Sequence, residues 1–545
     1  MIRKFVMLCV LKLMVSISFA AGAGADVSLL SNGRFDKDGG NWPADWPHPE
    51  GATWEKEGDF HFLRLQSTEP GKMIMAYRQI TLPAVHPPAL ELRVRVRAQD
   101  IKPGEKSWFD GRIILDFKDK DGHPLKPQPS APNFKGTTKG WEDKSIFFPV
   151  PEAAAVLDIM PCLFQVAQGT MDLAQCEIFP ATKEQLPPPP PMIPSETMVP
   201  EKSAKLPPPL HVAGNQLQTP DGKTVWLQGL CVDSMQWNAG GEHILQSIPV
   251  AIDQWHANVI RLPVKENFWF GWGPWQKKGD NGMTYRKLVD AAVEAAASRG
   301  AYLVLDLHQF GAPTENHVAF WKDAALRYKN HPAVLFELFN EPHSMSWKVW
   351  KDGGSLKSAE NDHKDAGVKE NNEAMSGDKT PGMQALVDAV RATGAKNLII
   401  AGGLDWGYDL SGVVTDYALK DHDGGNGIMY SSHIYPWKKD WQHNTLDAAA
   451  KYPVFIGETG NPSSWEDFKF IPEAERYEPV GVESAWPPDM IALIQKYKLN
   501  WTGFSFHPKC GPQVILDWNY TPTPYWGTFV KDALAGKQFE LKKIR

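Results

Sequence analysis

The sequence predicts a multidomain protein: an all-β sandwich of jelly-roll type, followed by an α/β domain folded as a (β/α)8 barrel of the TIM kind. Three observations predict it. Val27 to about Pro180 carries short runs of alternating polar and apolar residues and sustains no helical period. From about Leu210 to the C-terminus, apolar strands alternate with helical stretches eight times. Between the two lies a segment with Pro187 to Pro191 in one run and Pro207 to Pro209 in another. Such a composition favours an extended, semi-rigid spacer or a strap along a domain surface. The expected boundaries are 1–25 for an export signal, 26–182 for the sandwich, 183–209 for the linker and 210–545 for the barrel.

The opening residues read as a secretory signal. Arg3 and Lys4 form a positive start, Phe5 to Phe19 is mostly apolar, and Ala23-Gly24-Ala25 is a small-residue cleavage site. The protein is therefore expected to be secreted or periplasmic and free of the membrane once the signal is removed. Removal takes away Arg3, Lys4 and Lys12 and moves the net charge from −7 to −10. That acidic balance, with no basic run, argues against a nucleic-acid partner. No later stretch is long and apolar enough to span a membrane.

In the sandwich region, Leu90 to Val96 (LELRVRV), Arg112 to Phe117 (RIILDF) and Ser145 to Val150 are strands. Arg93, Arg95 and Arg97 alternate with apolar residues, which predicts one wet face and one packed face. Trp42, Trp46, Trp54, Trp108 and Trp141 are candidates for a flat aromatic platform or for ordinary core. Of the 5 Cys, Cys9 lies in the signal. Cys162, Cys176, Cys231 and Cys510 remain, and Cys162 with Cys176 is the pairing that adjacent apolar runs suggest first. No pair has the spacing of a metal site.

The barrel region gives strands at Thr224–Cys231, Asn258–Pro263, Tyr302–His308, Ala333–Glu341 (stopped by Pro342), Asn397–Ala401, Met429–Tyr435, Pro453–Thr459 and Asn500–Phe506. Helices are expected at 243–256, 285–298, 318–328, 383–392, 409–419, 445–450, 489–497 and 525–534. Two connections are long, Ser344 to Thr380 and Pro462 to Pro488, and the second carries Trp465, Phe468, Phe470 and Tyr477. In such a barrel the site lies at the C-terminal ends of the strands. Arg261, His308, Asn340, Glu341, His433, Tyr435 and Glu458 all fall there. Two carboxyl groups facing one another across a barrel mouth suit cleavage of a glycosidic bond, one giving a proton and the other ionised.

Those residues carry a family resemblance. Arg261 in VIRLPV, His308 in DLH, Asn340-Glu341-Pro342, His433 and Tyr435 in HIYPW, and Glu458 in VFIGETG resemble glycoside hydrolase family 5, the endoglucanase and mannanase family. The resemblance spans roughly Leu210 to the C-terminus. It implies that Glu341 is the general acid/base and Glu458 the nucleophile of a retaining double displacement. Arg261, His308, Asn340, His433 and Tyr435 would be the supporting shell, and no metal or cofactor is implied. The family usually places a Trp near the end of the eighth strand, whereas this chain reads WTGFSFHP, so Phe504 or Phe506 takes that place. His507 is a further candidate contact. Trp269, Trp272 and Trp275 in FWFGWGPW would line one side of a cleft, with Trp406 and Trp437 on the other. The opening LLSNGRF followed by WPADW resembles the start of jelly-roll carbohydrate-binding modules.

The expected protein is a monomeric, endo-acting β-glycanase cutting β-1,4-glucan. Mannan, glucomannan or mixed-linkage glucan, and exo action, are the nearest alternatives. A carbohydrate-binding barrel without catalysis is the alternative of a different class. For the N-terminal domain, a brace fixed to the barrel is the alternative to a sugar-binding module.

Overall fold

The computed structural model describes residues 27–545 apart from 68, 107, 126–127, 130–131, 152, 188–191, 274–275, 278, 357–378 and 423. The signal segment, Trp275, most of the Pro187–Pro191 run and the middle of the Ser344–Thr380 connection lie outside the described residues. The chain divides into two compact units, Met1–Pro188 and Pro189–Arg545.

The first unit is two antiparallel sheets. One has the order Ala52–Glu57, Phe60–Ser67, Gln168–Ala181, Ala89–Lys102, Glu142–Pro149. The other runs Ile74–Met75, Val156–Leu163, Gly111–Lys118, Asn133–Phe134, with Arg78–Thr81 also paired to Val156–Leu163. Alternation builds the core between them: Leu92, Val94 and Val96 from one sheet meet Leu115, Phe117, Leu157 and Ile159 from the other. The Arg residues of the first sheet stay on its outer face, and Arg97 pairs with Glu57 and Asp172 there. Cys162 and Cys176 are not bridged. They sit in different sheets, and Cys176 joins the core while Cys162, one residue out of phase with Leu163, turns away from it. Trp46 is core, with its indole N–H donating to the Asn32 carbonyl. Trp108 is 42% exposed.

The second unit is a closed barrel of eight parallel strands: Gln228–Cys231, Val259–Val264, Tyr302–Leu307, Val334–Glu337, Ile399–Gly402, Ile428–Ser431, Val454–Ile456 and Asn500–Gly503. Strand one pairs with strand eight through Gln228 and Trp501. Side-chain parity sorts the strand residues into two sets. Val259, Val304, Leu335, Ile400, Met429 and Phe455 fill the barrel floor, closed below by Leu210 and by Leu217 of the hairpin 211–218. Ile260, Leu303, Leu305, Phe336 and Val454 face the surrounding helices. Two residues beyond the floor set, the same inward parity delivers Arg261, Asp306, Glu337 and Ser431. The barrel interior is therefore apolar below and charged above.

Helices follow strands one to four, seven and eight at Ile244–Asp253, Met283–Ala297, Glu315–Tyr328, Gly382–Ala392, Trp486–Tyr497 and Gly527–Leu534. The helix expected at 409–419 is instead a 3-10 turn, Ser411–Val414. Gly412 explains it: a Cβ there would meet the Trp347 ring at 2.1 Å, so the chain lies too close to that indole for a regular helix bearing side chains. The helix expected at 445–450 starts earlier, as a π-helical turn over Gln442–Leu446 running into Asp447–Ala449. The segment before the barrel is not a spacer from Ile193 onward. Ser195 donates its N–H and hydroxyl to Asp323, and Arg286 donates to the Ile193 carbonyl. Tyr302 donates to the Pro208 carbonyl. Among the described residues, no helix is long and apolar enough to cross a membrane.

Candidate active site

The site grows from Arg261. It lies on the second barrel strand with its side chain fully buried, and one guanidinium serves four acceptors. Nε donates to Glu337 Oε2 at 2.6 Å, and Nη1 to Glu458 Oε1 at 2.7 Å. Nη2 donates to Asn340 Oδ1 at 2.7 Å and lies 3.0 Å from Asp306 Oδ2. Burying a charge requires such compensation, because an unpaired guanidinium in the barrel would lose its hydration with nothing in return. The carboxylates hold Arg261 in its charged form.

Glu458 follows strand seven by one residue beyond Gly457. Its Oε1 takes Arg261, and its Oε2 accepts from Tyr435 at 2.7 Å. Glu341 lies beyond strand four, in a short parallel pair with Phe310. Its Oε1 is 2.8 Å from His433 Nδ1, and His433 Nδ1 is 3.8 Å from Glu458 Oε2. Oxygens of Glu341 and Glu458 and a ring nitrogen of His433 lie within 4.8 Å of one another. Burial pushes the His433 imidazole down to about 4 and His308 down to about 3, so both rings are neutral near neutral pH. His308 Nδ1 is 2.7 Å from Asp306 Oδ2. Burial pushes Asp306 the other way, up to about 7, against the opposing charge of Arg261.

These groups open into one cleft. His308, Asn340, Glu341, Tyr435 and Glu458 form its base. Phe310 and Trp406 stand on one side, and Trp437 stacks on Tyr435 with centroids 4.6 Å apart. Phe504 also lines the cleft; its peptide to Ser505 is cis. The long connection after strand seven adds Phe468, Phe470 and Ile471 to the wall. Asn340 reaches the cleft with Nδ2 unpartnered among the described residues, because its oxygen is spent on Arg261. Trp406 is held by a stack on His343 at 3.7 Å and by Lys438 paired with the neighbouring Asp405. Asp405 and Trp406 both have positive φ, 54° and 60°, a conformation that side chains rarely adopt without tertiary support.

Three expected contacts lie elsewhere. Trp269 is fully buried against Phe320 and Tyr328 and donates its N–H to Asp323, so it is core rather than cleft. Its place on the four-residue helix Glu266–Trp269 turns the ring inward, under the loop. Trp272 stacks on Phe270 at 4.7 Å and packs against the same core. His507 is 2% exposed, edge-on to Trp237 and Trp518, with Nε2 3.4 Å from Glu242. Phe506 packs on Trp255, leaving Phe504 as the ring at the cleft. Asp306 and Glu337 were missed by sequence reasoning. The signal was a carboxylate at an inward position of a fully buried strand, which always requires a partner.

A family model described as "Cellulase (glycosyl hydrolase family 5)" matches residues 219–510. Endoglucanase E-5 of Thermobifida fusca is 24% identical over 316 residues, 54% of this chain and 55% of that protein. An endoglucanase of Clostridium saccharobutylicum is 22% identical over 346 residues, 60% of this chain and 65% of its own. The chain thus spans about half to two thirds of these relatives' lengths. Among solved structures, a β-glucanase from Saccharophagus degradans aligns with a TM-score of 0.47 and 23% identity, covering 65% of this chain and 99% of that one.

Proposed function

This chain belongs to glycosyl hydrolase family 5, and from that premise we propose that it is an exported endo-acting hydrolase of β-1,4-glucan working by double displacement. The observation that carries the reading is the pair Glu341 and Glu458, which bring one oxygen each within 4.8 Å of the other and sit in environments that differ. Carboxyl groups about 5 Å apart suit a covalent glycosyl intermediate, and wider pairs leave room for water between them. Glu458 faces the Arg261 guanidinium and the Tyr435 hydroxyl, which compensate a negative charge. Glu341 faces a neutral imidazole, with its Oε1 2.8 Å from His433 Nδ1.

In the first step Glu341 gives its proton to the leaving oxygen while Glu458 attacks the anomeric carbon. The glycosidic C–O bond breaks as the ester to Glu458 forms. In the second, Glu341 takes a proton from water, the resulting hydroxide attacks the same carbon, and Glu458 leaves as carboxylate. As Glu458 gives up charge to the ester, its hydrogen bonds from Arg261 and Tyr435 hold its oxygens in place. Asn340 Nδ2 is the donor set for the sugar hydroxyl beside the reacting carbon, where hydrogen bonds strengthen in the transition state. Trp406, Trp437, Phe470 and Phe504 supply ring faces for neighbouring sugars. The N-terminal unit, read as a jelly-roll sugar-binding module, would hold the enzyme on insoluble substrate. Its exposed Trp108 supports that assignment.

The test is product profiling on a panel of β-glucans and β-mannans. Soluble oligosaccharides from β-1,4-glucan, absent with Glu458→Ala, are the expected result. Binding without cleavage on every polymer would make the barrel a sugar-binding scaffold. Preferential release from mannan would move the substrate.

A further inference from the structure

The turn after strand five carries three successive residues in the left-handed region: Asp405 at φ 54°, Trp406 at φ 60° and Gly407 at φ 71°. Glycine enters that region freely. A residue with a Cβ enters it at a cost and stays there only where its surroundings hold it. Such outliers collect at functional sites, and Asp405 and Trp406 both line the cleft.

Each end of the turn has its own support. At the Gly407 end the chain is wedged against the base of the site. The His433 N–H donates to the Gly407 carbonyl at 2.9 Å. A Cβ on Gly407 would lie 3.1 Å from the Asn340 carbonyl oxygen and 3.2 Å from His433 Cγ. At the Asp405 end the support is one side chain from the connection after strand six. Lys438 Nζ donates to the Asp405 carbonyl at 2.8 Å, lies 2.8 Å from Asp405 Oδ2 and stands 5.3 Å from the centre of the Tyr408 ring. The lysine side chain is 11% exposed, which keeps its ammonium out of the solvent that weakens most surface pairs. Trp406 hangs between these two supports, stacked on His343 at 3.7 Å and 6.1 Å from Phe310. Its place identifies the sugar it meets. His343 follows Glu341 by two residues, and Phe310 is the register partner of Glu341. Both rings beside Trp406 therefore belong to the surroundings of the acid, which gives its proton to the oxygen of the departing sugar.

We propose that Lys438 is a positioning residue for the leaving group. By holding Asp405 it keeps the Trp406 ring where a departing glucose unit stacks, and so ties the rate of cleavage to a sugar on that side. The inference rests on the reading of Glu341 as acid, and deepens it: a lysine outside the reacting pair sets which leaving groups are favoured.

The test compares two substrates on the full chain. β-Cellobiosyl fluoride releases only a fluoride ion on the leaving side, whereas cellotetraose releases a sugar there. Lys438→Met keeps the aliphatic stem and removes the ammonium from Asp405. Its kcat/KM on cellotetraose should fall about tenfold or more beyond any fall on the fluoride. On cellotetraose, the double variant Lys438→Met with Trp406→Ala should be no slower than Trp406→Ala alone, because the lysine acts through the ring. Equal losses on the two substrates would overturn the proposal, since a merely structural lysine slows both alike. A double variant slower than Trp406→Ala would also overturn it and make Lys438 a direct contact of the sugar. Should Lys438→Met fail to fold, Asp405→Ala removes the same pair from the other side, and the same two comparisons decide. A native chain that turns over the fluoride but not cellotetraose would overturn the proposal alone. One that turns over neither would sink the reading of the two glutamates with it.

Discussion

Arg261 spends its N–H groups on Glu337, Asn340 and Glu458, with Asp306 beside it. A lysine keeps the charge but offers a single point and cannot span those directions. Arg261→Lys is therefore expected to lose about a hundredfold in kcat, the cost of misplacing reacting groups by an ångström. It should also unfold at lower denaturant, by roughly 3–5 kcal/mol, because buried carboxylates lose their partner. Steady-state kinetics and urea melts check both. His433 gives a pH prediction. Its folded value is about 4, against 6.5 as the ordinary value. Between those pH values the unfolded chain binds the extra proton, so the folded state loses stability as pH falls through this window and loses no more below it. Across pH 7 to 4, the native chain should lose up to roughly 3 kcal/mol relative to His433→Asn. A constant difference between the two would contradict the buried, neutral assignment.

At the scale of elements, strand parity does most of the positioning. The carboxylates that hold Arg261 lie inside the barrel because the same alternation that fills the floor with Val304 and Leu335 continues to Asp306 and Glu337 two residues later. Strand one approaches strand two so closely that a Cβ on Gly229 would lie 1.8 Å from the Val259 carbonyl oxygen. Gly229→Ala should therefore part the strands next to Arg261 and cost on the order of 2–3 kcal/mol by overpacking, read as a lowered melting temperature with lowered kcat. Continuous apolar runs bounded by Pro and Gly made the eight strands legible in the sequence, and the polar residue ending each made the mouth legible. What was not legible depended on close approach in three dimensions. Gly412 against Trp347 removes a helix, and the four-residue turn at Glu266–Trp269 puts Trp269 inside. A Trp in a glycine-rich loop reads equally well as wall or as core until Asp323 is seen to accept its N–H.

At the scale of the molecule, the barrel unit includes its approach segment. Ser195 satisfies Asp323, which also receives Trp269, and Met198 donates to the Arg327 carbonyl. A barrel fragment beginning at residue 210 should melt on the order of 5 °C below one beginning at 192, because buried acceptors are left without donors. Equal melting temperatures would make the strap ornamental. Composition alone left spacer and strap equally open, since a proline-rich chain serves both. The account's central claim remains the division of labour between Glu458 and Glu341, and one measurement addresses it directly. An activated 2-deoxy-2-fluoro cellobioside slows the second step more than the first and lets a covalent intermediate accumulate for peptide mass spectrometry. The account predicts one sugar equivalent on the peptide carrying Glu458 and none on that carrying Glu341. Label on Glu341, or turnover that inverts the anomeric configuration with no labelled peptide, would contradict it.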